Sequence, residues 1–211
     1  MIVPSQPPVP RVHLALPLRD GSVDLRSRVL VAGVVPPPRF GREAEVMASA
    51  AAVDASGADL VDVSLPPRLI GPVARGAATT VAVRAGTLDQ VAAARRAGAQ
   101  VVMVPPSLID EATGNPGDDG PALVLVVDDL ADLVSARVVA RRARVPLALD
   151  STRMPSVDAM ANEAAAIAGG VRVIRTTDVR RSRRVAEVMA AILAARRPSA
   201  TAIADQTASA S

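Results

Sequence analysis

A chain of 211 residues, 50% hydrophobic and 21% charged, is globular in composition and long enough to bury one full core. Phe40 is its only aromatic residue, His13 its only histidine, and cysteine is absent, which excludes aromatic stacking on bases, disulfides, cysteine zinc sites and histidine-dependent triads. Every basic residue is arginine, so a net charge of +3 carries the isoelectric point to about 11.0 without signalling nucleic acid, and no apolar run reaches the ~18 residues of a membrane span.

Prolines at 4, 7, 8 and 10 predict a disordered or extended segment over residues 1–11, too proline-rich for a signal peptide. With no cysteine, this suits a cytoplasmic protein. Residues 12–28 alternate apolar and polar on either side of Asp20-Gly21, the pattern of a β-hairpin. The buried strand VLVAGVV (29–35) follows and runs into the loop Pro36-Pro37-Pro38-Arg39-Phe40. A helix is expected from about Arg42 to Ser56, stopped by Gly57.

From there one joint recurs. Gly57, Gly98 and Gly170 each end a helix, and β-branched residues follow at once: LVDVS, VVMVP and VIRT. Further strands are TTVAVR (79–84), ALVLVVD (122–128) and VPLALD (145–150), with helices at 87–97, 129–144, 156–168 and 178–197 between and after them. Such apolar runs are expected of parallel strands covered on both faces. Seven are counted, and residues 105–120 are too polar for an eighth. The tail 198–211 is low in complexity and expected to be disordered.

Seven parallel strands alternating with helices admit a (β/α)8-type barrel or a doubly wound open sheet, and periodicity does not separate them. No G-x-G-x-x-G follows the first strand. Gly71–Gly76, GPVARG, has P-loop spacing but lacks the Lys-Ser/Thr pair, and reads as an ordinary loop.

The chemistry-bearing stretch is GVRVIRTTDVRRSRR (170–184). Arg175 ends a strand, Asp178 stands at a helix N-cap, and Arg180, Arg181, Arg183 and Arg184 crowd the first turns, where cations oppose the helix dipole. Either this is a solvated arginine-rich face or an anion-facing rim at the mouth of an α/β fold.

Taken in order, these units resemble dihydropteroate synthase, the pterin-binding barrel enzyme of folate biosynthesis. GVRVIRTTDV resembles its closing Arg-Val-His-Asp-Val motif through Arg175, Thr177 and Asp178. VPLALDSTRM resembles its Ser-Arg-Lys strand, with Arg153 on the Arg and Met154 on the Lys. LVLVVDD puts Asp128 or Asp129 on a pterin-contacting Asp, and ADLVDVSLPPR puts Asp62 on the Asp of Asp-Ile-Gly and Arg68 near its Arg. The resemblance covers residues 12–197 and implies a TIM-type (β/α)8 barrel, complete or short of a unit, with an N-terminal β-hairpin. It also implies pterin contacts at Asp62, Asp128 and Asp129, phosphate contacts at Arg153, Arg175 and Asp178, and a dimer.

The departures bear on function. Gly33 to Phe40 lacks the Asn and Asp of the family's pyrophosphate and magnesium loop, and Val83-Arg84-Ala85 replaces Ser-x-Asp-Thr. Met103 and Val104 stand for an Asn-Asp pair, Met154 for the Lys and Thr177 for the His. The resemblance therefore implies a pterin-binding barrel with degenerate or lost catalysis. If the transferase were active, joining a dihydropterin pyrophosphate to 4-aminobenzoate, Mg²⁺ would be needed. The alternatives are a non-catalytic partner subunit, homodimeric or paired with a full-length relative, and another phosphate-binding barrel. Neither nucleic acid nor membrane is an expected partner, and no resident metal is expected.

Overall fold

The computed structural model describes residues 15–19, 21–37, 43–63, 66–113 and 120–195. The expected disorder of 1–11 and of 198–211 lies outside them. A two-stranded antiparallel hairpin, β1 (Ala15–Leu18) and β2 (Gly21–Asp24), precedes seven parallel strands: β3 (Leu30–Val34), β4 (Leu60–Asp62), β5 (Thr80–Arg84), β6 (Val101–Val104), β7 (Ala122–Val127), β8 (Leu147–Asp150) and β9 (Val173–Thr176). Each pairs with the next, and β9 pairs with β3 (Leu30 beside Val173, Ala32 beside Arg175), which closes a barrel. Closure decides between the two architectures that the sequence left open.

Among the described residues, seven helices surround it: α1 (Glu43–Ala55), α2 (Pro67–Gly76), α3 (Leu88–Arg96), the single turn α4 (Ile109–Ala112), α5 (Leu133–Ala143), α6 (Ser156–Ala168) and α7 (Val179–Ala195). Gly57 and Gly98, both at φ 87°, supply the left-handed turn that lets α1 and α3 drop straight into the next strand. GPVARG is not a loop, as its spacing suggested, but most of α2. Pro67 opens the helix at a position that needs no N–H, and Leu69, Ile70 and Val73 form one buried stripe, so tertiary burial overrides Pro72.

The two faces of each strand explain the doubly apolar runs. Leu30, Ala32, Leu60, Ala82, Met103, Val124, Val126, Ala148 and Val173 fill the barrel, while Val31, Val61, Val81, Val102, Leu149 and Ile174 pack outward against helices. Barrel width falls with strand number, so a seven-stranded interior is narrow, and alanine at three inward positions suits it without any aromatic residue. Leu16 and Leu25 of the hairpin join the inner cluster and close its N-terminal end, where the Arg19 N–H donates to Thr80 Oγ1 at 2.7 Å. The missing unit lies where 105–120 stands. A 3-10 turn at Pro106–Leu108 and α4 occupy its described part, and β6 hydrogen-bonds directly to β7, with Val101 beside Ala122. No helix among the described residues is long and apolar enough to cross a membrane.

Candidate functional site at the barrel mouth

Strand parity turns a charge into the barrel at the C-terminal end of five strands. Asp62 ends β4, Arg84 ends β5, Asp128 follows β7, Asp150 ends β8 and Arg175 lies on β9. On each strand the residue two positions earlier is one of the inward apolar residues, because side chains alternate faces with period two.

These five form one chain of ion pairs. Arg175 Nε donates to Asp62 Oδ2 at 2.6 Å, and Arg175 Nη1 donates to Asp150 Oδ2 at 2.7 Å. Arg84 Nη1 donates to the same Asp150 oxygen, and Arg84 Nη2 to Asp128 Oδ2 at 2.8 Å. The other oxygen of Asp150 accepts from the Thr152 N–H at 3.0 Å and its hydroxyl at 2.6 Å. The order is Asp62, Arg175, Asp150, Arg84, Asp128, with signs alternating; the first three are buried, and the Asp128 side chain at the far end is 55% exposed.

Burial pushes the Asp62 carboxyl above the ordinary aspartate range, and the facing Arg175 offsets this only in part. Asp150 is also partly buried, yet the Thr152 hydroxyl and N–H together with Arg175 and Arg84 hold it below that range. Arg175 is desolvated too, but two carboxylates raise it further above its usual value, so it stays charged.

Of the residues expected here, the structure brings together Asp62, Asp128 and Arg175. Arg153 is exposed in the loop after β8, and Arg68 is exposed at the start of α2. Asp129 and Asp178 act as caps, accepting from the Ala131 N–H at 3.0 Å and the Arg181 N–H at 3.1 Å. The arginines of α7 do not form one anion-facing rim. Arg181 Nη2 reaches buried Glu163 of α6 at 3.3 Å, whose carboxylate also accepts from the Ser151 and Ser182 hydroxyls at 2.7 and 2.8 Å. Arg183 reaches Asp59 at 2.5 Å, beneath the barrel. A helix turn points successive residues in different directions, so a run of arginines in sequence becomes several separate clamps.

Sequence reasoning missed Asp150 and the role of Arg84. The available signal was an unpaired charge at the last position of an otherwise apolar strand, LALD and TVAVR. That pattern says the charge is at the mouth but not which partner it meets.

A pterin offers amino and ring N–H donors that need carboxylate acceptors, and here Arg84 and Arg175 already occupy acceptor oxygens of Asp62, Asp128 and Asp150. Magnesium does not fit this arrangement. A dication among these carboxylates would face two fixed guanidinium charges, and no group of three acidic or histidine side chains among the described residues could hold one.

The whole fold is similar to solved dihydropteroate synthases. That of Yersinia pestis superposes with a TM-score of 0.65 at 15% identity, covering 86% of this chain and 99% of that one. That of Vibrio fischeri ES114 gives 0.64 at 13% identity, covering 88% and 100%. The Burkholderia cenocepacia enzyme complexed with 7,8-dihydropteroate gives 0.63 at 15% identity, covering 86% and 97%. No known protein family's sequence profile matches the chain, and no curated protein matches it. The fold is thus similar to that of dihydropteroate synthases, with seven strands closing the barrel among the described residues.

Proposed function

We propose that this protein is a folate-related, pterin-barrel relative of dihydropteroate synthase that has lost catalysis and serves as a partner subunit, in a homodimer or with a full-length relative. The observation carrying this reading is the occupation of the mouth by the protein's own guanidinium groups. In place of acceptors waiting for a pterin stands a neutralised lattice, Asp62 to Asp128. A ligand would have to replace charge-assisted bonds of roughly 1.5–3 kcal/mol each with neutral ones. Met103 lies inside the barrel and Met154 beside its mouth, and neither offers a strong hydrogen bond. Losing a single positioned donor commonly lowers turnover by about 10²- to 10³-fold.

The partner role draws support from the outer face of α6 and α7. Val157, Met160, Val188 and Ile192 are exposed there, with Val188 at 58%, and the first three flank an apolar groove closed by Ala161 and Ala164. On the inner side of α7, Val185, Met189 and Leu193 pack partly against the barrel's own core. A cytoplasmic setting belongs to the same proposal and agrees with the cysteine-free composition. The test is calorimetric titration with a pterin, with pyrophosphate and with the pterin pyrophosphate, beside a turnover assay with 4-aminobenzoate. Weak pterin binding without turnover is expected. Tight binding with turnover would restore the active transferase.

A further inference from the structure

At the end of the barrel opposite the mouth, five arginines line one cavity of about 300 Å³: Arg26 from the hairpin's exit, Arg137, Arg141 and Arg144 from α5 and its cap, and Arg172 at the start of β9. Its floor is apolar, with Leu25 and Leu147, and no carboxylate lines it. Leu147 begins the strand that Asp150 ends, so the cavity lies about 10 Å along β8 from the mouth lattice.

We infer that this cavity binds a small, multiply charged phosphate anion of the pyrophosphate type. Several arginines elsewhere are neutralised: Arg28 and Arg183 meet Asp59, Arg84 and Arg175 meet three aspartates, and Arg142, on the other side of α5, meets Asp110. Here the side chains of Arg137, Arg141 and Arg144 form no hydrogen bond or ion pair among the described residues. Like charges gathered in one concavity repel and raise the local potential for anions. The negative end of the α5 dipole favours Arg141 and Arg144 but explains neither Arg26 nor Arg172, which come from other elements. Arg172 is already oriented, since its Nη1 donates to the carbonyls of Val171 at 2.8 Å and Ile167 at 3.3 Å.

The α5 cap supplies a further sign. Arg144 has φ 57° and ψ 36°, the one positive φ on a non-glycine residue among those described, where α1 and α3 end in glycine. An arginine held in a left-handed conformation is disfavoured on stability grounds, and such strain gathers at binding sites. Arginine forks match phosphate oxygens with paired N–H donors, and a cluster of them selects charge over shape.

The test is titration calorimetry of the full chain with inorganic pyrophosphate, comparing wild type with a Arg141→Gln, Arg144→Gly double variant and with Arg153→Ala at the mouth. Wild type and Arg153→Ala should bind alike, and the double variant should bind roughly tenfold or more weakly. Its melting temperature should not fall, because glycine suits the left-handed cap and repulsion is relieved, but the rise in melting temperature on adding pyrophosphate should disappear. Equal affinity in the double variant, no binding heat in wild type, or loss of binding only in Arg153→Ala would overturn the assignment. So would tighter, variant-sensitive binding of duplex RNA than of pyrophosphate, which would make the cavity part of a macromolecular surface.

Discussion

Arg175 Nε stands 2.6 Å from Asp62 Oδ2, joining β9 to β4 across the inside of β3. The residue of β3 in register with Arg175 is Ala32, whose small side chain leaves the guanidinium room to cross. Removing one member of a buried pair leaves the other charged and desolvated. Arg175→Met should therefore cost about 3–5 kcal/mol in urea unfolding, whereas Asp62→Asn, which keeps an acceptor and removes a charge already disfavoured by burial, should cost less.

Asp62 and Asp150 give pH dependences of opposite sign. The folded Asp150 titrates below the unfolded value, so its stabilisation is complete above about pH 4 and is lost as pH falls from there through its lowered folded value. Asp62 titrates above the unfolded value, so its charge costs stability at neutral pH, and that cost is relieved as pH falls through its raised value. Asp150→Asn should flatten the acid limb of the stability profile below about pH 4. Asp62→Asn should change the profile only above it. Chemical denaturation across pH 3 to 8, in roughly half-unit steps, reads both.

Arg84 stands in the Val83-Arg84-Ala85 segment that replaces the Ser-x-Asp-Thr of the enzyme the sequence resembles, and it engages Asp128 and Asp150 together. Arg84→Ser should free acceptors on both and raise pterin affinity by about tenfold over wild type, the equivalent of one charge-assisted bond. Unchanged affinity in calorimetry would show that the lattice does not keep a pterin out.

The α6–α7 face should bury itself against a second copy or a relative. Met160→Asp and Val188→Asp place charges on exposed positions of the two helices, 49% and 58% accessible, and should leave the melting temperature nearly unchanged. They should lower the mass seen by light scattering from dimer to monomer. A wild-type monomer at high concentration, with no relative co-purifying, would remove the support this face gives to a partner role.

Gly33 marks where β3 meets α1 and α7. A Cβ there would collide with Val53 Cγ1 and lie 2.6 Å from Val179 Cγ2, so Gly33→Ala must push two helices outward. A loss of about 1–3 kcal/mol is expected from overpacking. Val53→Ala in the same chain should recover part of it.

The sequence by itself determined the hairpin, the seven strands and most helix limits, because those features are local. Apolar runs without alternation require cover on both faces, and Gly57, Gly98 and Gly170 mark each return to the sheet. It also placed Asp62, Asp128 and Arg175 near strand ends, where a barrel keeps its site. α2 escaped notice because Pro72 and two glycines argue locally against helix, and only the burial of Leu69, Ile70 and Val73 outweighs them. Closure was likewise a tertiary matter, since the β9 to β3 pairing joins the two ends of the sheet and leaves no mark on either strand. The tertiary structure alone decided which charge meets which. Asp62 and Arg175 are separated by 113 positions, and Asp150 became the hub because strand parity and register aimed Arg84 and Arg175 at one of its oxygens. Asp129, next to Asp128 in sequence, and Asp178 lie past their strand ends and cap helices instead.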